Sequence, residues 1–147
     1  MKKIVAICAF LALPFAIASC SSDDNSVIRK KSDYEGTWVT DSLSYTIPQG
    51  PTFKHKFSDM PGDDTAVVQD IMTLTEDKAT LVETTKSGST NPTIQGVIKD
   101  QVITLISDDP RHTPRKIQAA TERKLTVVYD INMRGSNLPV TVTYLKK

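Results

Sequence analysis

The chain has two cysteines, two histidines and one tryptophan among 147 residues. Cys8 and Cys20 lie close together near the N-terminus, so no disulfide framework spans the chain. A zinc site would need His55 and His112 to converge with carboxylates, and the two lie in different segments. Glycine is scarce: there is no Gly-x-Ser-x-Gly elbow and no glycine loop to cradle phosphates. Neither sign of charge dominates, with a formal net charge of +1. No positive field exists to hold nucleic acid. No segment sustains a helical apolar period, and no internal repeat appears. The acidic pairs Asp63-Asp64, Glu76-Asp77 and Asp108-Asp109 fit turns, and none has calcium-loop spacing. These absences leave no residue to nominate as catalytic. The expectation is a protein that is not an enzyme and carries neither cofactor nor metal.

What is present begins at the N-terminus. Lys2 and Lys3 precede a largely apolar stretch over residues 4–18, then Ser19 and Cys20. That order is a secretory leader. The stretch is shorter than the roughly 20 apolar residues of a membrane-spanning helix, and Pro14 interrupts it. Ile17-Ala18-Ser19-Cys20 resembles a bacterial lipobox. The resemblance implies cleavage before Cys20, diacylation of its thiol and acylation of the new amine. The alternative is an ordinary leader cleaved nearby, with Cys20 left as a free thiol.

Lipobox cleavage would divide the chain into a leader (1–19), a lipidated tether (20–31) and a domain (32–147). Cys8 leaves with the leader, and the loss of Lys2 and Lys3 brings the side-chain charge to −1. A multiply acylated Cys20 needs no amphipathic helix to stay on its membrane-lipid partner. Ser21-Ser22-Asp23-Asp24-Asn25-Ser26 is too polar to bury and reads as a flexible tether. Its acidic patch resembles the export signal of Bacteroidetes surface lipoproteins. That implies a lipid-anchored protein of the bacterial outer membrane, displayed outward; the alternative is a generic acidic spacer. Ile28-Arg29-Lys30-Lys31 reads as linker.

The remainder is strand-like. Residues 34–47 open the domain, and the apolar parity switches from Trp38 to Leu43 and Tyr45, predicting a bulge near Asp41-Ser42. Residues 66–75 and 79–85 predict one hairpin, and residues 93–98 and 102–106 another. In the first, Val68, Met72 and Leu74 share a face. A weaker strand follows over 116–121. Leu125, Val127, Tyr129 and Ile131 align on one strand face, and Val140, Val142 and Tyr144 on the last. Short strands, about eight or nine in number, favour a sandwich or a barrel. A closed sheet has no edges, which favours the barrel, and about eight strands enclose room for packed side chains or one small ligand.

Gly36-Thr37-Trp38 resembles the Gly-x-Trp signature of lipocalins and of lipocalin-like domains in Bacteroidetes lipoproteins. The resemblance implies an all-β, eight- or nine-stranded antiparallel up-and-down barrel. Trp38 would plug its closed end beneath a late arginine or lysine, with Gly36 allowing close packing. Arg123 or Lys124 is the nearest basic partner, and Arg134 another. The chain is shorter than a typical lipocalin and lacks its disulfide cysteines. Independently of the family, a lone tryptophan in a strand belongs in a core with its indole N–H paired.

Two functions follow. In the first, the barrel reversibly binds a small apolar ligand or lipid. Tyr45, Phe53, Phe57, Tyr129, Met133 and Tyr144 are candidate wall residues, each equally explained as core. In the second, the interior is solid and the domain is a non-catalytic envelope module. It would bind protein or glycan through loops 48–51, 59–65, 86–92 and 108–114. The anchor is testable first: metabolic palmitate labels the chain, and Cys20→Ser abolishes the label and releases the protein to the soluble fraction. An unlabelled, freely soluble wild type would remove the tether.

Overall fold

Alternating apolar and polar side chains, rich in valine, isoleucine and threonine, suit a half-buried pleated surface. The computed structural model describes residues 33–133 and 136–147. The leader, the tether with Cys20, Arg134, Gly135 and the Met133 side chain lie outside the described residues. Nine strands follow in order: β1 (Gly36–Thr46), β2 (Thr52–Lys56), β3 (Val67–Leu74), β4 (Lys78–Thr85), β5 (Ile94–Lys99), β6 (Val102–Leu105), β7 (Arg115–Ala120), β8 (Lys124–Met133) and β9 (Ser136–Lys146).

From β3 onward each strand pairs antiparallel with the next, and β1 pairs with both β3 and β9. That closes a ring of eight strands, an up-and-down barrel of lipocalin-like topology. β2 is the ninth strand and stands outside the ring. It pairs with Ser42–Thr46 on the edge of β1 whose first half, Gly36–Val39, pairs with β3. β1 bulges between Thr40 and Ser42, where the sequence parity switches. The bulge is what allows both Trp38 and Leu43 to face inward on one strand.

A second bulge lies in β3, between Val67 and Gln69. It corrects the sequence reading: Val67, not Val68, packs against the core beyond Asp70, Met72 and Leu74. The β5–β6 turn carries positive φ at Asp100 (51°) and Gln101 (63°). Both central residues are left-handed, as in a two-residue hairpin turn whose twist matches the strands.

Apolar side chains fill one end of the barrel. Trp38 is fully buried there, and its Nε1–H donates to the Tyr34 carbonyl at 2.8 Å. The basic residue against the indole is Lys146, with Nζ 5.2 Å from the ring centroid. This corrects the choice of Arg123 or Lys124, which are exposed on the β7–β8 turn and at the first position of β8. Lys146 is the register partner of Trp38 and donates to the Glu35 carbonyl at 3.1 Å. Gly36 has φ +138°, and a Cβ there would lie 2.8 Å from Lys146 Cε. The backbone conformation therefore calls for glycine beneath the lysine, whose flexible end lies close over it.

Trp38→Ala should lower the unfolding free energy by about 3–5 kcal/mol in a urea titration. Lys146→Met should cost less than about 1 kcal/mol, because an exposed cation–π pair is weak. Equal losses at both positions would mean that the lysine, not the indole, closes the base.

Candidate functional site

Toward the other end the inward positions change character. Asp70 follows Met72 and Leu74 on the inner face of β3, and Glu83 follows Ala79 and Leu81 on β4. The two carboxylates are register partners, so like charges face each other across the strands. Arg115, the first residue of β7, occupies the inner face two residues from Ile117. A ring of apolar side chains thus gives way to a layer holding three charged groups.

Each charge has a partner. Arg115 Nη1 donates to Asp70 Oδ2 at 3.2 Å and to the Tyr144 hydroxyl at 2.9 Å. That hydroxyl donates to Asp70 Oδ2 at 3.4 Å. The guanidinium lies 4.5 Å from the Tyr129 ring centroid. Glu83 accepts from Asn91 Nδ2 and pairs with His112 Nε2, each at 3.1 Å. The Arg115 and Asp70 side chains are only 3% and 2% exposed. Even so, Arg115 Nε and Asp70 Oδ1 have no hydrogen-bond partner among the described residues. A buried unpaired polar group costs about 1–3 kcal/mol.

Burial pushes the Asp70 carboxyl above its ordinary pKa, against the pull of Arg115, and Glu83 adds to the rise. Burial also works against the charge on Arg115. Tyr144, Tyr129 and Asp70 more than offset it and hold its pKa above the usual value. The Tyr129 hydroxyl is pushed up to about 12 by burial, moderated by Arg115. The layer therefore holds the Arg115 cation inside the barrel against a carboxyl whose burial favours its neutral form.

Above this layer lies a pocket of about 370 Å³, open to one side. That is at the small end of the range for ligand sites. Asp70, Glu83 and Arg115 line its floor. Its walls include Phe57, Met60, Val67, Tyr129 and Ile131. Phe57 belongs to a 3₁₀ turn, Phe57–Asp59, that follows β2 and packs against β1 and β3.

Arg111 comes from the loop over residues 106–114 and also lines the pocket. Its guanidinium grips Asp109, with Nη2–Oδ2 at 2.6 Å. The hydrogen bonds from Arg111 hold the Asp109 carboxyl down at about 2, partly offset by desolvation. His112 pins the same loop, pairing with Glu83 through Nε2 and with Ser107 Oγ through Nδ1 at 2.8 Å. Ser107, His112 and Glu83 thus form a serine–histidine–carboxylate row. Ser107 Oγ also accepts the Asp109 N–H at 3.1 Å, as in a serine turn. The row fastens the loop to the barrel.

The sequence-derived wall residues separate. Phe57 and Tyr129 line the pocket. Tyr144 is fully buried beneath it and reaches it through Arg115 and Asp70. Tyr45 and Phe53 are cross-strand partners on β1 and β2. Their rings stack at 5.3 Å, with His55 beside them, away from the pocket lining. The pocket floor escaped the sequence reading. Its signal was a charge on an apolar parity: Asp70 with Met72 and Leu74, Glu83 with Ala79 and Leu81.

Three of the four nominated loops converge on a second, polar hollow of about 530 Å³, where Asp64, Ser87, Ser89 and Arg111 meet. Backbone hydrogen bonds from Lys86 to Ala66 and from Ser87 to Asp64 tie two of them together. Among the described residues no three His, Cys, Asp or Glu side chains group as metal ligands. None of these residues forms a helix long and apolar enough to cross a membrane.

No protein-family model matches the chain, and no curated protein matches it. Solved structures do. The siderocalin Ex-FABP, described as functioning through dual ligand specificities, is 12% identical with a TM-score of 0.46, over 78% of this chain and 71% of its own. A lipocalin-like protein from Bacteroides uniformis is 14% identical with a TM-score of 0.48, over 78% of this chain and 99% of its own. An uncharacterized protein from Bacteroides eggerthii is 16% identical with a TM-score of 0.45, over 78% and 99%.

Proposed function

We propose that this chain is a lipid-anchored, lipocalin-like protein of the bacterial outer membrane that reversibly takes a small, largely apolar ligand into the open end of its barrel. The observation that carries this reading is the pocket of about 370 Å³, with apolar walls above a buried Arg115–Asp70 floor. A barrel built only for stability gains little from such a pair, because apolar side chains of similar volume do as well or better. Binding is burial without a covalent step. Acylated Cys20 holds the domain at the bilayer, and the acidic tether behind it supports display on the outer face.

A second reading has its own support in the polar hollow between loops 59–65, 86–92 and 108–114. Hydroxyls, carboxylates and one arginine converge there, a surface suited to a glycan or a polar protein segment of the envelope. The two readings occupy different openings that share Arg111.

Native mass spectrometry of the full chain, offered a panel of lipids and haem, should recover a one-to-one adduct. Val67→Trp, which fills the wall, should weaken uptake by about tenfold or more. Bare polypeptide across the whole panel would overturn the pocket reading. Crosslinking in intact cells checks the second reading. Replacing residues 86–92 with a glycine–serine loop should remove any captured envelope partner, and a partner retained by that variant would exclude the hollow.

A further inference from the structure

The hairpin that joins β1 to β2 fixes which backbone groups of β2 are left over. The Ile47 N–H donates to the Pro51 carbonyl at 3.3 Å where the β1–β2 ladder begins. Bonded and non-bonded pairs alternate along an antiparallel ladder. Counted from that bond, Tyr45–Phe53 and Leu43–His55 are the bonded pairs. Thr52, Lys54 and Lys56 hold the non-bonded positions, so their N–H and C=O groups point away from β1. Among the described residues β1 is the only strand beside β2, and all three residues are exposed.

The faces of this strand differ. His55 is the register partner of the buried Leu43 and shares its face with Phe53, the two rings lying 5° from parallel. Lys54 and Lys56 lie on the other face, opposite Ser44 and Ser42. Neither ammonium group has an ion-pair partner among the described residues. We propose that β2 is a docking edge for an extended acidic segment of a partner protein, which adds as an antiparallel strand and sets carboxylates at alternate positions opposite Lys54 and Lys56. Main-chain bonds to Thr52, Lys54 and Lys56 hold such a strand, and charge selects it. Opposite charges attract across a ladder and like charges repel, so a basic segment is rejected. Residues between the carboxylates fall on the side of Phe53 and His55, where apolar side chains fit. This edge belongs to neither opening considered above.

The test titrates the full chain with fluorescent short peptides that alternate valine with glutamate or valine with lysine, read by anisotropy. The glutamate peptide should bind at least about tenfold more tightly than the lysine peptide. In the docked strand the glutamate N–H groups face β2 and the valine N–H groups face away. N-methylation at the glutamates should therefore weaken binding by about tenfold or more, and N-methylation at the valines should leave it unchanged. Lys54→Glu together with Lys56→Glu, with the fold checked by circular dichroism, should reverse the preference. If that variant does not fold, the peptide series decides alone. Absence of binding at millimolar peptide would overturn the proposal. Binding indifferent to N-methylation would also overturn it, since that is ion pairing without an added strand. Self-association of the full chain that the glutamate peptide reverses would give the edge to a second copy, with the same result.

Discussion

Hydrogen bonds between the first and last strands of the ring, running from Trp38–Lys146 to Tyr45–Val140, turn an open sheet into a closed one. Every inward side chain then faces another across a shared interior. The same ladder builds the base, because register alone sets Lys146 beside the indole of Trp38. It also reaches the site, since Tyr144 lies on that ladder and bonds both Arg115 and Asp70. Closure, plug and pocket floor are therefore one structure rather than three. The bulge between Thr40 and Ser42 keeps β1 in this role along its length.

The two ends of the interior differ in kind. At the base, transfer of large apolar side chains from water does the work, and the indole N–H is matched. Near the mouth, charge is carried into a region of low dielectric, where removing one member of a buried pair costs about 3–5 kcal/mol. Such a layer orders itself through polar geometry rather than shape. It also gives the mouth a chemistry that a purely apolar barrel would lack.

How much was legible depended on whether a feature was local in the chain. The all-β architecture, the bulge near Asp41 and the inner faces of β8 and β9 followed from side-chain parity. Lys146 did not, because its place beside Trp38 depends on a pairing between residues 108 positions apart. Asp70, Glu83 and Arg115 were missed for a related reason. Each interrupts an apolar alternation on its own strand, and the meaning of the interruption lies in the other two. Tyr45 and Phe53 share the aromatic character of Phe57 and Tyr129. Only the departure of β2 from the ring separates the pair that stacks on the hairpin from the pair that lines the pocket.

Because β1 divides one edge between β3 and β2, the short β2 strand ends the sheet with its outer edge unpaired among the described residues. Exposed backbone of this kind is a template on which a second molecule can add a strand. Lys54, His55 and Lys56 are exposed along β2. Two ammonium groups on so short a segment make copies of the protein repel one another there, which disfavours strand addition between them along this edge.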